Sequence, residues 1–140
     1  MTSRALLLVE DNPDDVFIMS RALKKAGLDL PVFIASDGKE ALDYLRGNGP
    51  FADRARYPLP SLVLLDLKLP YLNGFEVLEW IREHPLLHDL QVVVLTSSGE
   101  DRDQRRAQEL GVSAYLVKPP KPDTLRQAVA PLLQRQTADA

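Results

Sequence analysis

The ten residues SLVLLDLKLP, Ser61 to Pro70, decide the fold. Leu62 to Leu65 form an apolar run that does not alternate and ends in a carboxylate, Asp66. Short continuous runs of this kind belong to strands buried on both faces, as in a parallel sheet. An acid at the end of such a strand is either a turn residue or a reactive group. Taken alone, the stretch favours the turn residue.

Four further runs have the same character: ALLLV (5–9), VFIA (32–35), VVVL (92–95) and AYLV (114–117). Helical patterns lie between them. Asn12, Pro13 and Asp15 open the first with a cap residue, a proline at the first helical position and an acid in the first turn. Phe17, Ile18, Ala22, Leu23 and Ala26 follow at helical spacing, and Gly27 ends it. The second helix spans Lys39 to Arg46, and the third starts near Asn73 and Gly74. The fourth opens at Ser98-Gly99-Glu100-Asp101, a loose capping box. Only Ala107 and Leu110 are apolar in its continuation, so it should be weakly anchored and easy to move. The fifth starts at Pro122 and contains Pro131, which should kink or end it.

The order is therefore strand–helix, five times over. That predicts an α/β fold of parallel strands joined by right-handed crossovers, with helices on both faces. The 140 residues suit one domain, spanning 1–140, with 134–140 as a frayed tail and no tethered output domain. There is no cysteine, which excludes disulfides and thiolate metal sites. No apolar run approaches the ~18 residues of a membrane span, and the N-terminus lacks a secretory pattern, so a cytoplasmic location is expected. A net charge of −3 argues against a nucleic-acid surface.

In open α/β sheets, ligands bind at the carboxyl ends of the strands. The first strand ends in Glu10-Asp11, the third in Asp66, the fourth in Thr96-Ser97-Ser98 and the fifth in Lys118. If strands one and three are neighbours, three carboxylates meet beside a hydroxyl and an ammonium. Two unit charges ~4 Å apart repel by about 4 kcal/mol at an effective dielectric of 20. A hard divalent cation would relieve that strain, and few carboxylates with open water positions favour Mg²⁺. His84 and His88 flank Pro85, which breaks the spacing of a paired histidine site. Each feature also has a plainer reading. Glu10 and Asp11 suit the positive end of a helix, Asp66 a turn, Thr96 and Ser97 loop hydroxyls, and Lys118 a solvated charge.

Together, LLVEDNPDD, LVLLDLKLPYLNGFEVL, VVVLTSSGEDRD and GVSAYLVKPP resemble the receiver domain of two-component response regulators, over about residues 5–133. The resemblance implies a flavodoxin-like (βα)5 sheet of order 2-1-3-4-5. It implies that Asp66 accepts a phosphoryl group from the phosphohistidine of a sensor histidine kinase. Asp11, Asp66 and the backbone carbonyl of Lys68 would hold Mg²⁺, with Glu10 acting through water. Thr96 and Lys118 would each meet a phosphoryl oxygen, and Tyr115 would be the switch aromatic. The Lys118-Pro119 bond would be cis. Lys68 and Ser98, each two positions past a pocket residue, would tune phosphate lifetime. The implied protein catalyses its own modification without separate substrate turnover. It would signal through altered protein contacts or pass its phosphoryl group along a relay.

The segment GNGPFADRARYPLP (47–60) departs from the pattern, being long where about 4–6 residues is usual. It joins the second helix to the third strand, at the end of the sheet away from the acids. It reads either as a packed lid or as a docking or dimer surface. A similar insertion occurs in stand-alone receivers serving bacterial phytochrome kinases, which makes a bacteriophytochrome a candidate partner. A homodimer would use the face of the fourth helix, fifth strand and fifth helix, near Arg102, Arg105 and Arg106. Other functions fit less well. An Asp-nucleophile phosphohydrolase wants a second acid where Lys68 stands. A flavodoxin-like cofactor binder wants a phosphate loop where EDNPDD would repel one. A degenerate receiver is at odds with a pocket in which every position is filled.

Overall fold

The structure, a computed structural model, describes residues 5–69, 72–97 and 101–138, and side chains as far as residue 133. Five strands form its centre: β1 (Leu6–Val9), β2 (Val32–Ala35), β3 (Leu62–Asp66), β4 (Gln91–Thr96) and β5 (Ala114–Val117). They alternate with α1 (Pro13–Lys25), α2 (Gly38–Arg46), α3 (Gly74–Glu83), α4 (Asp101–Glu109) and α5 (Pro122–Ala138). The sheet order is β2-β1-β3-β4-β5, with every pairing parallel.

The pleat divides each strand between two cores. Leu7, Val9, Val63 and Leu65 pack with Ala41, Tyr44 and Leu45 of α2 and with Val77, Leu78 and Ile81 of α3. Leu6, Leu8, Leu62 and Leu64 pack with Met19 and Leu23 of α1 and with Leu125 and Val129 of α5. Because both faces are covered, the central strands carry no polar face, which is why β1 and β3 read as unbroken apolar runs.

Helix starts follow their caps. Asn12 Oδ1 accepts from the Asp14 N–H at 2.8 Å, Asp37 Oδ1 from the Glu40 N–H at 2.7 Å, and Asn73 Oδ1 from the Glu76 N–H at 3.0 Å. The expected start of α4 at Ser98 to Glu100 lies outside the described residues. Within α4 only Ala107 is buried, as its polar sequence implied. An unforeseen anchor adds to it: Arg106 pairs with Glu79 of α3 at 2.5 Å and stacks 4.4 Å from the Phe75 ring centre.

Two expectations need correction. The edge strands are not buried on both faces: Ile34 of β2 is 37% exposed and Val117 of β5 50%. An outermost strand lacks the second neighbour that would cover it, so an apolar run alone cannot separate edge from centre. Pro131 does not end α5, which runs on to Ala138. A proline removes one helical hydrogen bond, but Val129, Leu132 and Leu133 on either side of it are buried in the core and hold the helix in place.

Residues 47–60 pack as a lid. Phe51 and Tyr57 join Phe33 and Tyr44 in an aromatic cluster with ring centres 5.1–6.2 Å apart. Arg54 donates to the carbonyls of Tyr44 and Leu45 at 2.8 Å each, satisfying the last turn of α2. The Tyr44 hydroxyl donates to the Pro58 carbonyl at 2.9 Å.

Candidate functional site

The register sets the site. Val9 of β1 stands opposite Leu65 of β3, so the residues that follow, Glu10 and Asp66, emerge side by side at the carboxyl end of the sheet. Both are buried, Glu10 at 2% and Asp66 at 5% exposure. Asp11 lies on the open side of the pocket. Glu10, Asp11 and Asp66 each offer a carboxylate oxygen, and these atoms lie within 4.8 Å of one another. Thr96 ends β4 fully buried, and its carbonyl accepts from the Lys118 N–H at 2.8 Å. That contact carries Lys118 over the pocket, where the Lys118-Pro119 bond is cis.

Lys118 ties the acids together. Its Nζ donates to Asp66 Oδ2 at 2.7 Å, to Asp15 Oδ2 at 3.2 Å and to Glu10 Oε2. The other Asp66 oxygen, Oδ1, accepts from the Lys68 N–H at 3.0 Å. Glu10 Oε1 accepts from the Asn12 N–H at 3.2 Å.

Burial pushes the Glu10 carboxyl up to about 7; the Lys118 hydrogen bond opposes this and the Asp66 charge adds to it. Burial works to lower the Lys118 ammonium, yet its hydrogen bonds to Asp66 and Glu10 outweigh that and raise it. Both groups therefore hold their protons more tightly, Glu10 chiefly because it is buried and Lys118 because carboxylates surround it. The donors are hard oxygens and one ammonium does not balance the carboxylates around it, so the residues fit a divalent cation.

A close approach fixes the Asp66 loop. The Gly74 N–H donates to the Leu67 carbonyl at 2.9 Å. A Cβ on Gly74 would lie 2.4 Å from the Asp66 carbonyl oxygen and 2.5 Å from Leu67 Cα. Only glycine lets α3 start so near the strand end. Tyr115 is half-buried on β5, against the cluster of Leu67, Phe75, Val94 and Ala107.

The sequence-derived set is thus largely gathered in one place: Glu10, Asp11, Asp66, Thr96 and Lys118 share the pocket, Lys68 borders it, and Tyr115 stands on the neighbouring strand. Ser98 lies outside the described residues. The residue missed as a pocket member is Asp15. An acid in the first turn of a helix reads as a dipole partner, but Asp15 is four residues after Asp11 and one helical turn above the end of β1. Beside it a groove of about 260 Å³ runs between Ile18 and Met19 of α1 and Ser97, Pro119 and Pro120.

A family model for the response regulator receiver domain matches residues 6–130. The chain belongs to this family. Among curated relatives of the receiver domain, the probable methanogenesis regulatory protein FilR2 of Methanothrix harundinacea is 41% identical over 124 residues, 89% of this chain and 77% of FilR2. Among solved structures, the bacteriophytochrome response regulator AtBRR is 44% identical with a TM-score of 0.83, over 94% of each chain. The Mn²⁺-bound form of response regulator Rcp1 is 35% identical with a TM-score of 0.76, over 91% of this chain and 90% of Rcp1. Rcp1, from Synechocystis sp., is thus a relative of this receiver described with a divalent ion. No helix among the described residues is long and apolar enough to cross a membrane.

Proposed function

We propose that this receiver accepts a phosphoryl group on Asp66 from the phosphohistidine of a sensor histidine kinase, in a Mg²⁺-dependent reaction in the cytoplasm. One observation carries the reading: Asp66 stands nearly buried at a strand end, 2.7 Å from the Lys118 ammonium and in reach of Glu10 and Asp11. An Asp66 carboxylate oxygen attacks phosphorus, the P–N bond breaks, and the imidazole nitrogen keeps the bonding pair. The carboxylate is already an anion, so no general base is needed. Lys118 pairs with one oxygen of the transferred group, and the Thr96 hydroxyl donates to another. Asp11, Asp66 and the Lys68 carbonyl would hold the Mg²⁺, with Glu10 acting through water; when bound, the cation supplies charge neutralisation on the phosphoryl oxygens.

Signal loss is a separate hydrolysis. Water attacks phosphorus, the P–O bond to Asp66 breaks, and the carboxylate and inorganic phosphate are released. The Lys68 and Ser98 side chains tune this step. Thr96 is drawn toward the phosphoryl group and Tyr115 turns inward behind it, changing the face formed by α4, β5 and α5. The output is a changed protein contact, a homodimer or a relay step, with no separate substrate turned over. Likeness to AtBRR supports a bacteriophytochrome as the kinase.

The test is incubation with Mg²⁺ and a small phosphodonor, read by intact mass. One phosphoryl group should be gained, and the gain should vanish in Asp66→Asn and in chelator. A gain that persists in Asp66→Asn overturns the assignment. Size-exclusion elution with and without a phosphoryl mimic reads pairing, and decay rates in Lys68→Asn and Ser98→Ala read lifetime tuning.

A further inference from the structure

An ammonium has three N–H donors and no acceptor. Lys118 meets three carboxylates, those of Glu10, Asp15 and Asp66. Its donors are fully engaged, so none is left for a phosphoryl oxygen until one contact is given up. The three contacts are not equally firm. The Glu10 side chain is 2% exposed and also accepts from the Asn12 N–H. Asp66 is held at its other oxygen by the Lys68 N–H. The Asp15 side chain is 34% exposed and makes the longer of the two measured contacts with acids of the helix and strand, 3.2 Å against 2.7 Å for Asp66.

Resting on the reading of Asp66 as phosphoacceptor, we propose that Asp15 is a positioning residue that holds the Lys118 ammonium in the resting pocket and is the partner exchanged for the phosphoryl group. Asp15 therefore sets how readily the pocket accepts an anionic group. The exchange is chemically like for like. A carboxylate oxygen on α1 leaves one N–H of Lys118, and a phosphoryl oxygen on Asp66 takes it. Asp15 also opposes the arriving charge by simple repulsion, so competition and repulsion act in the same direction. Asp15 lines the groove beside Lys118, where solvent can receive its carboxylate when the contact opens. Glu10, buried on all sides, has no such outlet.

The experiment titrates the Mg²⁺-loaded protein with beryllofluoride as the phosphoryl mimic. Affinity is read by calorimetry, and the Lys118 ammonium signal by NMR. Losing a partly exposed contact of this kind should tighten binding in Asp15→Asn by about three- to tenfold. The Lys118 signal of the unliganded variant should shift at the same time. Asp15→Glu keeps the charge and can reach Lys118, so it should return affinity to within about twofold of the starting protein. Asp14→Asn removes the same charge from the same turn, at an exposed residue that is not a Lys118 partner, and should change affinity by less than about twofold. Unchanged or weaker binding in Asp15→Asn overturns the proposal, and so does equal tightening in Asp14→Asn, which would reduce the effect to net charge. If the unmodified protein ignores beryllofluoride, or Asp66→Asn binds it equally well, the phosphoacceptor reading itself falls. If Asp66→Asn abolishes binding while Asp15→Asn leaves it unchanged, only the role of Asp15 falls.

Discussion

Replacing Asp11 with asparagine should stabilise the metal-free protein and remove its response to Mg²⁺. Asp11 places a carboxylate oxygen within 4.8 Å of those of Glu10 and Asp66, and no cation among the described residues pairs with it. Two unit charges at that separation repel by ~3.5 kcal/mol at an effective dielectric of 20 and by ~0.9 kcal/mol in bulk water. Asp11 is on the open side of the pocket, so the lower figure governs, and at a pH above the Glu10 value of about 7, where both partners are ionised, two such pairs give a gain of about 1–2 kcal/mol for Asp11→Asn in chelator. For a domain of this size that is a rise in Tm of roughly 3–8 °C. Mg²⁺ at a hundredfold excess over its Kd should stabilise the unmodified protein by about 2.7 kcal/mol. The variant has lost a ligand and should gain little. The two stability curves therefore cross as Mg²⁺ is added. Urea unfolding followed by circular dichroism, in chelator and across a Mg²⁺ titration, measures both arms. A variant less stable than the parent in chelator would mean that these carboxylates do not repel in the folded state. A variant stabilised by Mg²⁺ as much as the parent would mean that the cation binds elsewhere.

Gly74→Ala should be destabilising by about 1–3 kcal/mol although alanine favours helices, because the added Cβ meets backbone atoms of Asp66 and Leu67 that cannot rotate away. The same variant should take up a phosphoryl group more slowly, read by the mass assay. Retention of both stability and rate would show that the start of α3 can shift freely. Alkaline stability should depend on Tyr44, whose hydroxyl burial pushes from 10.0 up to about 12. The unfolded chain loses this proton first, so the contribution is complete below pH 10 and is lost as pH rises toward 12, a decline of up to ~2–3 kcal/mol. Tyr44→Phe should lower stability at neutral pH by about 1 kcal/mol, through loss of the bond to Pro58, and flatten the fall between pH 10 and 12. An unchanged slope would assign the alkaline transition to other groups.

What the sequence revealed and what it hid divide along physical lines. The central strands were legible because burial on both faces leaves an unbroken apolar run, the edge strands because their runs are apolar although partly exposed, and Glu10 and Asp66 because each follows such a run directly. Asp15 was hidden because its contact with Lys118 spans 103 residues and resembles, in sequence, an ordinary helix-start acid. Arg106 was hidden for the same reason: its ion pair with Glu79 and its contact with Phe75 depend on where α3 and α4 come to lie. Arg54 looked like one of several charges in a loop, and only the structure shows its guanidinium satisfying the carbonyls of α2. Pro131 left open whether α5 kinks or ends, and only the buried side chains around it show why the helix continues.

The pocket violates the packing logic of the rest of the molecule, and the scaffold explains how it survives. Elsewhere the sheet buries apolar side chains, whereas at its carboxyl edge it nearly buries Glu10 and Asp66 side by side. These acids cannot separate to relieve their repulsion. Each is carried by a central strand whose side chains are buried and which is paired along both edges. The Lys68 N–H and the close approach of Gly74 fix Asp66 further. Lys118 offsets part of the charge: burial chiefly raises Glu10, with the Asp66 charge adding to it, while hydrogen bonds to Asp66 and Glu10 raise Lys118 against its own burial. A rigid, underneutralised cluster of hard oxygens is what a divalent cation relieves. An ammonium already bound to three carboxylates is what an arriving phosphoryl group must win over. The local instability of this edge and its capacity to take up charge thus have one origin, the parallel register that sets β1 beside β3.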